Sequence, residues 1–137
     1  MSSNVQFSTV TPIFRIFDVA KADVFYVDYL GFQRDWDHRF TLDDGDGKGT
    51  QGPLYRQVSR GGLVLHLSEH HGDGSPGANV RVRVGAGGLA EYHAELAAKK
   101  YAYLRPAIED GPVPGSKELQ VTDPFGNRIT FCEDAPK

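Results

Sequence analysis

Residues 13–32 read IFRIFDVAKADVFYVDYLGF, and this stretch decides the fold. An apolar strand ends in Arg15-Ile16-Phe17, and Asp18 then supplies the N-cap of a helix. Val19, Ala22, Phe25/Tyr26 and Tyr29/Leu30 recur along that helix at the spacing of one apolar face, and Gly31 stops it. Strand-like runs follow at 32–40, 54–60 and 62–68. The same order returns in the second half: a strand over 79–84, a helix over 89–100, then strands over 103–108, 119–122 and 128–132. The repeat has a period of roughly 65–70 residues, and a repeat constrains the whole architecture. The expected fold is therefore α+β, built from two βαβββ modules (about 8–68 and about 79–133) in one domain spanning 1–137. Two such units pair most naturally with their sheets around a hollow, and a hollow between repeats suits a ligand.

Composition narrows the function classes. The 137 residues carry a net charge of −3, so no basic footprint points to nucleic acid. No apolar run reaches the ~18 residues that a membrane helix needs. The start, Met1-Ser2-Ser3-Asn4, lacks the parts of a signal peptide, and the single Cys132 fits a reducing compartment; a cytoplasmic protein is expected.

Strand parity divides each strand into a packing face and a mixed face. Leu63, Leu65 and Leu67 oppose Val64, His66 and Ser68; Val80, Val82 and Val84 oppose Asn79, Arg81 and Arg83; Ile129 and Phe131 oppose Arg128, Thr130 and Cys132. The mixed faces should line the hollow or meet water. Trp36, the only tryptophan, sits among Asp35, Asp37 and His38, and its reading divides between core residue and aromatic wall for a flat ligand.

Three apparent motifs mislead. Gly85-Ala86-Gly87-Gly88-Leu89-Ala90 has the form of a dinucleotide loop, but the alternating Arg-Val-Arg-Val before it is not a buried parallel strand. Asp44-Gly45-Asp46-Gly47-Lys48-Gly49 opens like a calcium loop, yet Lys48 takes a ligand position and Tyr55 stands where the bidentate Glu belongs. His66, His70 and His71 with Glu69 and Asp73 form the densest group of potential metal ligands, but ligand type without geometry is weak support for a metal. Polar pocket lining or plain loop is the favoured reading.

Asp18-Val19, Phe25-Tyr26, Tyr29-Leu30-Gly31-Phe32 and Val121-Thr122-Asp123-Pro124-Phe125-Gly126-Asn127 together resemble the vicinal oxygen chelate superfamily, which includes glyoxalase I, extradiol dioxygenases and bleomycin-resistance proteins. The resemblance covers nearly the whole chain and implies a cup-shaped mixed sheet made by paired βαβββ modules. Gly31-Phe32-Gln33-Arg34-Asp35-Trp36 looks most like the bleomycin-resistance branch. The metal-dependent members place ligands on the first, fourth, fifth and eighth strands, and the corresponding positions here look like Thr11, His66, Asn79 and Thr130. Only His66 is a good ligand, whereas a catalytic divalent ion usually takes three from the protein. The branch's Pro-Trp-Gly before the seventh strand is replaced by Pro112-Val113-Pro114-Gly115.

The resemblance thus implies a homodimer with clefts between subunits that sequesters a bleomycin-type small molecule without turnover, using no metal or other cofactor. The expected ligand-binding residues are Phe32 and Trp36 for stacking, with His66, Arg81, Arg83, Glu109 and Glu118 for polar contacts. The rival is a metal-dependent lyase, isomerase or dioxygenase using His66 with the His70/His71 loop. A third reading is an interaction module with no small ligand.

Overall fold

The computed structural model describes residues 4–40 and 52–137. The first module runs β1 (Ile13–Arg15), α1 (Val19–Ala22), β2 (Gln33–Arg39), β3 (Leu54–Arg60) and β4 (Leu63–Ser68). The second runs β5 (Asn79–Val84), α2 (Gly88–Ala98), β6 (Ile108–Asp110), β7 (Lys117–Thr122) and β8 (Arg128–Glu133). Each module forms a four-stranded mixed sheet with one connectivity, β1-β4-β3-β2 and β5-β8-β7-β6. In both, the first strand lies parallel to the last and the rest are antiparallel. The two-module α+β architecture is the one the repeat predicts.

Two elements differ from expectation. The first helix begins with the Asp18 side chain accepting a hydrogen bond from the Lys21 amide, then widens into a π-helix over Asp23–Tyr29. Its wider turn closes with the Leu30 amide on the Phe25 carbonyl, and Phe25, Tyr26, Tyr29 and Leu30 are all buried. The expected strand over 103–108 is a correction: the strand is Ile108–Asp110, and 101–107 is turn and coil. Pro106 has no N–H to give a sheet ladder, so pairing starts beyond it. The calcium-like run 44–49 lies outside the described residues.

One apolar core joins the modules, from Phe14, Tyr26 and Leu65 to Leu96, Ile129 and Phe131. Its ends are fastened by polar locks. Asp123 accepts from the backbone amides of Phe125 and Asn127 at 2.9 and 2.8 Å, which closes the β7–β8 turn. It also accepts from the Tyr26 hydroxyl at 2.6 Å, and Asn127 donates to the Arg15 carbonyl at 2.8 Å. The Asp-Pro-Phe-Gly-Asn motif is thus the bolt between the modules. Burial first, then the charge and hydrogen bond of Asp123, hold the Tyr26 phenol well above its usual range. At the other end, Arg60 and Tyr92 donate to the Leu30 carbonyl and Lys99 to the Tyr29 carbonyl. They satisfy groups that the end of a helix leaves without partners.

Candidate functional site

The helix-facing side of the first sheet joins an apolar surface of Val58, Leu65 and Leu67 to an ion cluster centred on Arg56. Arg56 is 3% exposed there. Its guanidinium donates to both oxygens of Asp37, at 2.7 and 3.0 Å, and to Asp23 on the π-helix. The other side is open. The β2–β3 ladder pairs Arg34 with Val58 and then Trp36 with Gln57, leaving Asp35 as a bulge. This extra residue shifts the parity of the rest of β2. Without it, Trp36 would lie on the helix side; with it, Trp36 and His38 share the open face with Gln57 and Tyr55, and Asp37 turns inward to Arg56.

That open face carries an aromatic wall. The Trp36 and Tyr55 rings are nearly parallel, 6.1 Å apart and 12° inclined, and His66 meets both edge-on at 5.3 and 5.0 Å. Phe40 extends the wall from Tyr55 (6.3 Å) to His70 (4.9 Å), which stacks on His71. Trp36 is 44% exposed, so it is not a core residue.

A hydrogen-bond chain fixes the wall's chemistry. Asp35 accepts from the Gln57 Nε2 at 3.0 Å, so the Gln57 oxygen faces His66 Nε2, 3.1 Å away. A carboxylate and an amide oxygen only accept, so His66 carries its proton on Nε2 and its bare Nδ1 accepts from the Tyr55 hydroxyl at 2.6 Å. Desolvation lowers the His66 pKa, which agrees with a neutral ring. Desolvation likewise raises the Tyr55 phenol, and the nearby Asp73 charge adds to it.

The second sheet's open face holds the other candidates. Arg81 pairs with Glu118 at 3.1 Å, and Arg83 with Asp134 at 3.5 Å. Glu109 stands opposite Glu118 in the β6–β7 ladder, and Cys132 lies opposite both Arg83 and Glu118. Arg81, Arg83, Glu118 and Cys132 border a cavity of about 550 Å³. The sequence candidates therefore fall into two groups, Trp36 and His66 on one sheet, Arg81, Arg83, Glu109 and Glu118 on the other.

Phe32 stands apart from both groups, although it borders a cavity shared with Arg83. It is 3% exposed and packs on Tyr26 in the core, because Gly31 turns the chain inward at φ 81° before β2 begins. Tyr55 and Gln57 were missed, although the alternation of Tyr55, Gln57 and Ser59 against Leu54, Arg56 and Val58 could have singled them out.

The residues do not fit a catalytic metal. Both His66 nitrogens have protein partners, Thr130 is 4% exposed, and His70 Nδ1 accepts from the Gly72 amide. Among the described residues no three His, Cys, Asp or Glu side chains converge as a metal would require.

Residues 1–136 match the model of a glyoxalase superfamily protein family. The chain belongs to the glyoxalase superfamily. Among solved structures, the superfamily fold is shared with the bleomycin resistance determinant encoded on the transposon Tn5 (20% identity, 93% of this chain and 98% of that one, TM-score 0.64). The bleomycin-binding protein of bleomycin-producing Streptomyces verticillus, solved with copper(II)-bleomycin, is 28% identical over 97% of this chain and 99% of that one, with a TM-score of 0.56. TnmS3, an antibiotic binding protein from Streptomyces sp. CB03234, is 20% identical over 96% and 100%, with a TM-score of 0.58. No curated protein matches by sequence. No helix among the described residues is long and apolar enough to cross a membrane.

Proposed function

We propose that this glyoxalase-superfamily chain sequesters a small molecule of the bleomycin type without turnover, as a homodimer. The observation that carries the reading is the open Trp36–Tyr55–His66 wall, a flat exposed aromatic surface with an ordered polar edge. The bulge at Asp35 presents it, and a planar ring would lie against it. The 28% identity to a protein solved with copper(II)-bleomycin supports the ligand class.

Charge is compatible with a cationic ligand. Arg81 is hydrogen-bonded to Glu118, which offsets its charge, and Glu109 opposite Glu118 offers a second carboxylate. The division of the candidates between two sheets supports the dimer. Trp36 finds its ring partners within the first module and Arg81 its ion pair within the second, so joining one chain's wall to a second chain's polar face would complete a cleft.

Titration calorimetry with bleomycin tests the reading. Stacking is worth about 0.5–1.5 kcal/mol beyond area burial, so Trp36→Ala should weaken binding roughly ten-fold once area is included. The drug should be recovered unchanged. No heat with the wild-type protein at high micromolar bleomycin would retire the proposal, and sedimentation showing only monomer at micromolar concentration would retire the dimer.

A further inference from the structure

A second cavity lies on a different part of the molecule, where α2 ends against the segment 101–106. It has a volume of about 380 Å³ and is bordered by Tyr29, Leu96, Ala97, Tyr101, Leu104 and Pro106, with His93, Lys100 and Arg105 among its lining residues. The volume falls within the range of small-molecule sites. Tyr29 and Tyr101 stack on each other at 4.5 Å with a 22° inclination, so one side of the cavity is aromatic.

Its polar groups are the unusual part. Among the described residues, His93, Lys100 and Arg105 make no side-chain hydrogen bond or ion pair, although the chain has an acidic surplus and most other arginines are paired. A helix C-terminus attracts cations, and that alone would account for Lys100. It does not account for Arg105, which lies beyond the helix, nor for the apolar lining of Leu96, Leu104 and Pro106 beside the cations. Lys100 also adopts φ 52°, the only described non-glycine residue with positive φ, at a position after a helix where glycine is the usual solution. Backbone strain of this kind collects at functional sites.

We propose that this cavity binds a small planar aromatic carboxylate. The ring would lie along the Tyr29–Tyr101 wall over Leu96 and Leu104, with the carboxylate between Lys100 and Arg105. A guanidinium can grip a carboxylate with two parallel hydrogen bonds, and the His93 imidazole offers a further donor. This site is independent of the Trp36 wall, which belongs to the first sheet.

Calorimetry with 2-naphthoate and its neutral counterpart 2-naphthamide, on the full chain, tests it. The carboxylate should bind and the amide should bind at least ten-fold more weakly. Arg105→Gln, which removes the charge and the paired hydrogen bonds of the guanidinium, should cost at least about ten-fold. Ala97→Phe, which fills the cavity from an exposed helix position, should abolish binding. Lys100→Gln serves as the second charge variant if Arg105→Gln loses its circular dichroism. The single Trp36 indole N–H resonance should stay in place throughout. Equal affinity for acid and amide, no effect of either charge variant, absence of heat at millimolar naphthoate, or a shifted Trp36 signal would each overturn the proposal.

Discussion

Replacing Arg56 by lysine tests whether the ion cluster on the helix side sets the direction in which Trp36 points. Arg56 bridges β3, β2 and the π-helix through two hydrogen bonds to Asp37 and one to Asp23. Lysine carries a point charge without the planar fork and cannot hold both oxygens of Asp37 while reaching Asp23. A hydrogen bond to a charged group nets about 1.5–3 kcal/mol, but the side chains of Asp23 and Asp37 are 32% and 45% exposed, so water replaces part of what is lost. The expected cost is about 2 kcal/mol. At about 2.1 cal/mol/K per residue, a chain of 137 residues has an unfolding entropy near 0.29 kcal/mol/K, so Tm should fall by about 7 °C.

Thermal unfolding by circular dichroism reads this directly, with Trp36 emission as a local probe. Asp37→Asn should cost less than Arg56→Lys, and the double variant should cost less than the two added together. Acid should act on the same contact. Hydrogen bonds from Arg56, followed by its charge, lower the Asp37 carboxyl pKa. Its contribution is therefore complete above the ordinary carboxylate value of about 3.9 and is lost as pH falls through the lowered one. Arg56→Lys should flatten that part of the stability profile. A Tm within about 1 °C of wild type would refute the argument, because the cluster would then be an incidental surface pairing.

Other expectations follow from single residues. Lys100→Gly should stabilise the chain by about 1 kcal/mol, or roughly 3 °C in Tm, by relieving the left-handed backbone, whereas Lys100→Ala should not. Trp36→Ala should cost about 1 kcal/mol through its contacts with Tyr55 and His66, well below the ~3–5 kcal/mol of a core tryptophan; denaturant unfolding decides this. His66 is desolvated and its pKa lowered, so the unfolded chain binds the proton more tightly. Its contribution is complete above about pH 6.5 and is lost as pH falls from there through the lowered folded value. An NMR titration of the His66 ring should show that lowered midpoint. Tyr55→Phe should raise the accessibility of Nδ1 without moving Trp36.

Much of the fold could be read from residues that do one job only. Asp18, Gly31 and the apolar spacing between them give a helix, and the alternating valines of β5 give a half-buried strand. The π-helical turn left no such trace, because Phe25, Tyr26, Tyr29 and Leu30 satisfy helical spacing as well as they satisfy a wider turn. The strand at 103–108 was misread because Tyr103, Leu104 and Ile108 look apolar, while the chain direction there is set by the left-handed Lys100 and by Pro106.

The site was only half readable, and the reason is the bulge. Parity works where one face is apolar, as in Leu63–Ser68, because a slip would expose the core. In β2 the run Gln33–Arg39 is polar on both sides and exposed throughout, so no hydrophobic pattern records an inserted residue. What fixes the register is charge. Arg56, buried at 3% exposure on β3, demands a carboxylate opposite it, and Asp37 meets that demand only if one residue between Arg34 and Trp36 is left over. A chain with Val at position 56 would have no such requirement, and Trp36 would have equal claim to either face. The residue that turns the tryptophan outward is thus a buried arginine on the neighbouring strand. The bulged Asp35 then orients Gln57, and through it the proton on His66.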